Sequence, residues 1–337
     1  MRIVIIGFGV VGQGFCSLLH ERRKELIAKY GLNPKIVGIT DTGGAAMDEA
    51  GLDILKVLEI KRNKKSVADI EGKGRKKTGL EVIEEVEAEV VVEATPTNIQ
   101  NGEPGISHIE KALKSKKNVI TVNKGPLALA FPALMELARY NGVMLKFSGS
   151  VGGGTPILEF GKRCLDADKI LAVRGILNGT TNYILTEMDT NGLSFSEGLA
   201  NAQRLGYAEA NPSLDVDGFD AAAKLVILAN FLMGIPATIK DVQIKGIRDV
   251  TQKDIQKAKA KDSTIKLIAS INGNLSVKPL ELKRSEPMCV NGALNSVKFI
   301  SQFAGEQVII GKGAGGTETA SAILRDLLEI RNSLRVI

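Results

Sequence analysis

At 337 residues the chain is long for a single hydrophobic core, so two domains are expected. Its 44% hydrophobic and 24% charged residues are those of an ordinary globular protein, and a formal charge of +6 suits a small anionic ligand as well as nucleic acid. Three cysteines, Cys16, Cys164 and Cys289, are far apart and lack CxxC spacing, which argues against a disulfide framework or zinc site and fits a reducing cytoplasm.

The chain begins with an apolar strand, Arg2–Ile6, with no signal-peptide cleavage site. It runs into Gly7-Phe8-Gly9-Val10-Val11-Gly12 and a helix through about Lys29. A lone GxGxxG is weak, but one placed between a strand and a helix meets the context of the dinucleotide fingerprint. Its glycines permit a tight turn and let backbone N–H groups approach a pyrophosphate; the alternative is a plain glycine turn. A second strand over residues 35–40 ends at Asp41, an acid that can bond both ribose hydroxyls and repel a 2′-phosphate, or else a turn residue. It favours NAD, although it lies further from Gly12 than the usual ~20 residues. The basic run of Lys56, Lys61, Arg62, Lys64, Lys65, Lys73, Arg75, Lys76 and Lys77 reads as a solvated surface, or as the source of one 2′-phosphate contact. No aromatic lies between Tyr30 and Phe131 to stack on bases, so nucleic acid is not an expected partner. A strand over residues 89–94 leads to Thr95-Pro96-Thr97-Asn98, and after a helix over 106–114 a strand over 118–122 leads to Asn123-Lys124. Ligands of doubly wound sheets bind beyond such strand ends. Lys124 is therefore either at the meeting point of nicotinamide and substrate or a surface lysine. A helix over 132–140 and a strand over 143–147 follow.

Residues 150–156, SVGGGTP, read as a hinge, or as a loop of exposed carbonyls that holds a cation. A strand over 170–177 runs into Asn178-Gly179-Thr180-Thr181-Asn182, which caps a helix or lines a pocket. The next stretch is rich in acids: Glu209, Asp215 and Asp217 precede a helix over 219–233 that is apolar almost all round and so buried. Asp217 is its expected N-cap, with Asp220 three residues on. The helix carries only two charges, Asp220 and Lys224, spaced i,i+4 on one face. That pair is an ordinary helix ion pair, or a buried lysine able to exchange a proton near neutral pH. Ser213, Asp215, Asp217 and Gly218 match positions 1, 3, 5 and 6 of a calcium loop, but Lys224 stands where the bidentate Glu must be, which rules that loop out. The acids can instead receive a substrate's ammonium. The longest apolar run, residues 225–236, is interrupted by Asn230 and Gly234 and falls short of the ~18 residues of a membrane span.

Strands over 240–250, 266–271, 273–278 and 297–302 compose a mainly open second sheet, while residues 285–297 lack clear periodicity. Residues 311–322 form a second glycine loop entering a helix, suited to a ligand or to tight packing. His20 and His108 lie in predicted helices without ligand spacing, which leaves acid–base work to Lys124 and Lys224. A thiolate aldehyde dehydrogenase is a weaker alternative, since no cysteine adjoins a histidine.

These segments together resemble the homoserine dehydrogenases. The likeness runs in order over nearly the whole chain: GFGVVG, TPTN, NKGPLA, SVGGGTP, GILNGTTNYIL, GYAEANPSLDVDGFDAAAKL and GKGAGGTETASA, the segment at 206–225 being the most specific. The resemblance implies an α/β architecture: a Rossmann-type dinucleotide-binding domain over 1–147, an α+β substrate-binding and dimerisation domain over 148–305, and a segment over 306–337 returning to the first. It implies reversible hydride transfer between L-homoserine and L-aspartate 4-semialdehyde with NAD or NADP, toward threonine, methionine and isoleucine. A cytoplasmic homodimer acting on a small molecule, with no membrane, is the expected setting. Position by position, Lys224 matches an acid/base lysine and Lys124 a lysine near the nicotinamide that is also proposed as proton carrier. Glu209, Asp215, Asp220, Thr180 and Tyr207 match the substrate pocket. Gly7, Phe8, Gly9, Val10, Val11, Gly12, Asp41, Thr95, Pro96, Asn123, Lys124, Gly206, Glu209 and Gly315 fall at the cofactor. Val151, Gly153 and Thr155 match backbone ligands of a monovalent cation such as Na+, but Ser148 replaces the family's Glu, so a weak or absent ion is expected. The chain also leaves no room for a threonine-sensing regulatory domain. A non-catalytic NAD-binding regulator of the same fold would keep Gly7 to Gly12 without needing Glu209, Asp220 and Lys224 together.

Overall fold

The structure is a computed structural model that describes residues 1–63 and 65–334; Lys64 of the basic run lies outside them. The chain divides into two compact units, residues 1–150 together with the chain from Gly315 onward, and residues 151–314.

The first unit is built on seven strands in the order β4-β3-β2-β1-β5-β6-β7. Strands β1 (Arg2–Ile6), β2 (Lys35–Asp41), β5 (Val90–Glu93), β6 (Asn118–Thr121) and β7 (Leu145–Lys146) run parallel, with β3 (Gly44–Met47) and β4 (Gly74–Arg75) antiparallel at one edge. Parallel strands covered on both faces need near-continuous apolar sequence, and Ile3 to Ile6 and Val90 to Val92 are almost wholly buried. The C-terminal helix Gly316–Ser333 belongs to this unit because Ala320, Ile323, Leu324 and Leu327 share one core with Phe15 and Leu19 of helix Val10–Glu21.

Two expectations change here. The first helix is not continuous to Lys29; it ends at Glu21 and a second helix, Arg23–Tyr30, follows. The helix expected over 132–140 begins at Lys124, capped by the Asn123 side chain, and kinks at Ala130 ahead of Pro132. Proline removes a backbone donor and clashes one turn back, so two helical segments meet there and only the second is obvious in the sequence pattern.

The second unit holds six strands in the order β13-β12-β8-β10-β11-β9. They are β8 (Ile170–Ile176), β9 (Val242–Ile244), β10 (Ser263–Asn272), β11 (Asn274–Lys283), β12 (Leu294–Ser301) and β13 (Gly305–Lys312), antiparallel except where β9 meets β11. Strand β13 was not expected. It pairs along its whole length with β12, so the second unit extends to residue 314 rather than ending at 305. The strand expected over 240–250 shrinks to three residues, since Gly246 packs directly on the backbone of Val216 and Asp217.

Helices Gly179–Asn191 and Phe219–Met233 pack on this sheet. The first is tied down by Lys266, a lysine of β10 with no exposed surface. Its Nζ donates to Asn182 Oδ1 at 2.8 Å, Thr186 Oγ1 at 3.1 Å and Asn291 Oδ1 at 3.1 Å. Burial pushes its pKa down to about 8. Asn291 comes from the stretch without periodicity, in the part ahead of β12. Replacing Lys266 by Ala strands two amide oxygens and opens a cavity. Lys266→Ala is therefore expected to cost about 3 kcal/mol, measured as a lowered urea midpoint at pH 7.

Candidate active site

In the first unit the glycine loop crosses the carboxyl ends of β1 and β5. Gly7 has φ +95°, and a side chain there would put its Cβ 2.6 Å from the Ala94 carbonyl oxygen. Its N–H donates to Thr40 O at 3.1 Å. Gly9 precedes helix Val10–Glu21, and no side chain caps that helix. Its first N–H groups and the positive end of its dipole are left to meet an anion, which is what a pyrophosphate requires. Phe8 is buried beneath the loop, Val11 is half-buried and Val10 is exposed. The second glycine loop arrives at the same place: a Cβ on Gly316 would lie 2.6 Å from the Val10 side chain, and Gly315 precedes helix Gly316–Ser333, which also lacks a side-chain cap.

At the neighbouring strand ends, Asn123 Oδ1 accepts from Gly125 N at 3.0 Å and starts the helix that Lys124 opens. Asn123 Nδ2 reaches Thr95 Oγ1 at 3.3 Å and Pro96 O at 3.4 Å. Thr95, Pro96, Asn123 and Lys124 are thus brought together. Asp41 is different. Its carboxylate already accepts from Gly43 N (2.9 Å), Ser66 Oγ (2.7 Å), Lys61 Nζ (2.7 Å) and Val67 N (3.0 Å). Burial pushes its pKa up, but these donors outweigh it and hold Asp41 below the usual carboxylate range. The other described residues of the basic run are surface groups, with Lys73 and Lys77 paired to Asp48 and Glu85.

In the second unit one amide organises the chemistry. Asn178 follows β8 and caps helix Gly179–Asn191, its Oδ1 accepting from Thr181 N at 2.8 Å. Its Nδ2 donates to Asp215 Oδ1 at 2.6 Å and to Asp220 Oδ2 at 2.9 Å. The same Asp220 oxygen lies 2.7 Å from Lys224 Nζ, which also donates to Leu177 O at 2.7 Å and is only 6% exposed. Burial, and next the Asp220 charge, push the Asp215 pKa up, against the pull of Asn178 and Lys224. Asn178 thus gathers two carboxylates and one ammonium into a single cluster. The helix cap expected at Asn178 is present; what the sequence did not show is that its other side-chain atom gathers Asp215 and Asp220.

Thr180 is buried and its hydroxyl donates to Tyr207 O at 2.7 Å, while the Tyr207 ring lies 4.9 Å from that of Tyr183. Gly206 turns the chain with φ +78°. Glu209 is exposed, and among the described residues no hydrogen bond or ion pair joins its carboxylate to Asp215, Asp220 or Lys224. Asp217 is not the expected N-cap: Gly218, at φ +90°, precedes the helix with no side-chain cap, and Asp217 pairs with Arg248. A residue in the left-handed region occupies the cap position there, so the acid before it turns away to the arginine.

The SVGGGTP loop holds Val151 buried, Gly153 at φ +56°, and Thr155 with its hydroxyl on Lys312 O at 3.1 Å. Ser148 donates its N–H to Asp326 Oδ2 at 2.9 Å and its hydroxyl to Asp326 Oδ1. Among the described residues no group of three or more His, Cys, Asp or Glu could hold a metal ion. His20 is exposed and His108 lies in helix Gly105–Lys114, its pKa lowered by burial. Burial pushes the Cys16 thiol up to about 12, which suits a packing residue and not a nucleophile. No described helix is long and apolar enough to cross a membrane.

A Rossmann-type unit with an uncapped glycine-led helix, joined in sequence to a buried lysine–carboxylate cluster, defines a nicotinamide-dinucleotide-dependent oxidoreductase. Comparison with known proteins is specific. Residues 7–148 match the homoserine dehydrogenase NAD-binding domain and residues 156–328 the homoserine dehydrogenase domain. The homoserine dehydrogenase of Methanocaldococcus jannaschii is 46% identical over 99% of this chain and 100% of its own length. The NAD(+)-dependent homoserine dehydrogenase of Pseudomonas canavaninivorans is 39% identical over 98% of this chain and 96% of its own. A crystal structure of a putative homoserine dehydrogenase from Archaeoglobus fulgidus matches with a TM-score of 0.89 at 39% identity, covering 98% of this chain and 99% of that one. The chain belongs to the homoserine dehydrogenase family.

The like-charged pair predicts a trade between stability and function. Asp215 has its folded pKa raised above the unfolded value, so it lowers stability when pH is above that folded pKa, and the penalty vanishes below the unfolded value near ~4. Asp215→Asn is expected to raise Tm by about 2–4 °C at pH 7.5, with the gain fading as pH falls toward ~4, measured by scanning calorimetry without ligand.

Proposed function

We propose that the protein interconverts L-homoserine and L-aspartate 4-semialdehyde by hydride transfer with NAD or NADP, a step toward threonine, methionine and isoleucine. The observation that carries this reading is the cluster of Asp215, Asp220 and Lys224 on Asn178. An amino-acid alcohol presents an ammonium to such a cluster and an alcohol to the lysine. The backbone of Gly7, Phe8, Gly9, Val10, Val11 and Gly12, with Thr95, Pro96, Asn123, Lys124, Gly206, Glu209 and Gly315, would hold the cofactor; bound NAD or NADP supplies the hydride acceptor.

Asp215 and Asp220 orient the substrate's ammonium, with Thr180 and Tyr207 closing the same pocket and Glu209 swinging in from its exposed turn. In the oxidative direction a lysine in its neutral form, favoured by the substrate's ammonium beside it, takes the hydroxyl proton as the C–H hydride leaves. In the reductive direction its ammonium polarises the aldehyde and gives the proton to the alkoxide. Lys224 is our choice for this role, since its Nζ already contacts Asp220; Lys124 is the alternative carrier from the first unit. Asp41 bonded to Lys61 presents a neutral pair and not a bare carboxylate, so a 2′-phosphate is not repelled and both cofactors serve.

The protein works as a homodimer in the cytoplasm, a reading favoured by its family and by three free cysteines. Carbonyls of Val151, Gly153 and Thr155 are the candidate donors to Na+, bound weakly because Ser148 supplies no carboxylate.

Homoserine oxidation assayed with NAD and NADP side by side tests the reading, with kcat/KM for the two expected within about tenfold. Lys224→Ala is expected to lower kcat by about a hundredfold or more. Near-normal kcat in Lys224→Ala, with a collapse in Lys124→Ala, would move the proton to Lys124.

A further inference from the structure

Glu93 is the last residue of β5, has no exposed surface, and takes no part in the mechanism above. Burying a carboxyl group is costly unless donors meet it, and here donors converge. Oε1 accepts from Thr95 N at 3.0 Å and from the Thr95 hydroxyl. Oε2 accepts from Thr121 Oγ1 at 2.8 Å, and the Asn123 side chain adds to them.

The hydroxyls are polarised toward the acid. Thr121 Oγ1 accepts from Asn123 N at 3.1 Å, and Thr95 Oγ1 accepts from Asn123 Nδ2 at 3.3 Å. Each hydroxyl therefore takes a hydrogen from an amide and points its own at Glu93. Burial raises the Glu93 pKa above the ordinary carboxylate value, and the donors offset only part of that. Among the described residues no cation pairs with Glu93, so the charge of an ionised Glu93 would rest on hydroxyls and amides alone. The two segments it fastens, Thr95-Pro96 and Asn123-Lys124, are those assigned above to the nicotinamide end of the cofactor.

We propose that Glu93 is a positioning residue whose buried carboxylate braces the nicotinamide-side loops and makes the site favour the oxidised, cationic cofactor over the reduced, neutral one. This rests on the dehydrogenase reading. A brace alone would weaken both cofactor forms alike when broken, whereas a charge acts on their difference.

The test is binding, not turnover. Dissociation constants for NADPH and NADP+ are measured by nicotinamide fluorescence and by competition, for wild type, Glu93→Gln and Thr121→Val. Glu93→Gln is expected to weaken NADP+ about tenfold more than NADPH. Thr121→Val, which removes one donor and keeps the charge, is expected to leave the ratio of the two constants within about twofold of wild type. An unchanged ratio in Glu93→Gln, or an equal change in Thr121→Val, overturns the inference. Should Glu93→Gln not fold, carbon-13 NMR of wild-type protein labelled at glutamate Cδ decides it, the Glu93 signal being found by its loss in Glu93→Asp. An ionised Glu93 at pH 7 is expected, and a protonated one overturns the proposal. Wild-type protein that binds neither cofactor form would instead remove the dehydrogenase reading, and this inference with it.

Discussion

A single side-chain amide, Nδ2 of Asn178, is the contact on which the substrate-side chemistry depends. It holds two carboxylates from one acidic stretch, Asp215 and Asp220, close enough that one Asp220 oxygen also meets Lys224. Like charges brought together under partial burial raise each other's proton affinity, and Asp215 shows it. The arrangement is unfavourable for the protein alone and favourable once a cation arrives. Its other costs are spread widely: Asn178 doubles as a helix cap, and Lys224 uses the Leu177 carbonyl as a second acceptor.

The first unit solves a related problem at its strand ends. The glycine loop leaves backbone donors open for an anion, while the neighbouring loops are fastened from below by Glu93 through Thr95, Thr121 and Asn123. Buried charge thus serves opposite ends in the two units. In one, two carboxylates and a lysine share a single amide; in the other, a carboxyl group saturated by donors fixes loops in place.

Much of this was legible in the sequence because it follows from local pattern. Gly7 to Gly12 between strand and helix, the all-round apolar helix Phe219–Met233, and the i,i+4 spacing of Asp220 and Lys224 each imply their structure through backbone periodicity alone. What escaped notice depended on partners distant in the chain. Asp41 stands at the right strand end, yet Lys61, Ser66 and Val67 fill its carboxylate. Asp217 looked like a cap until Arg248 took it. Strand β13 has a mixed polar pattern and exists because β12 offers it an edge.

The sequence by itself therefore determined the class of each unit, the glycine loop between strand and helix, and the shared helix face of Asp220 and Lys224, since spacing along a helix or strand decides which side chains share a face. Only the tertiary structure decided which acids are available and which are spent. Asp215 and Asp220 meet on Asn178, while Asp41 and Asp217 are taken up by Lys61 and Arg248, and Glu93 by Thr95 and Thr121. The physical reason is that a carboxylate's role depends on the donors around it, and those donors are assembled by the fold.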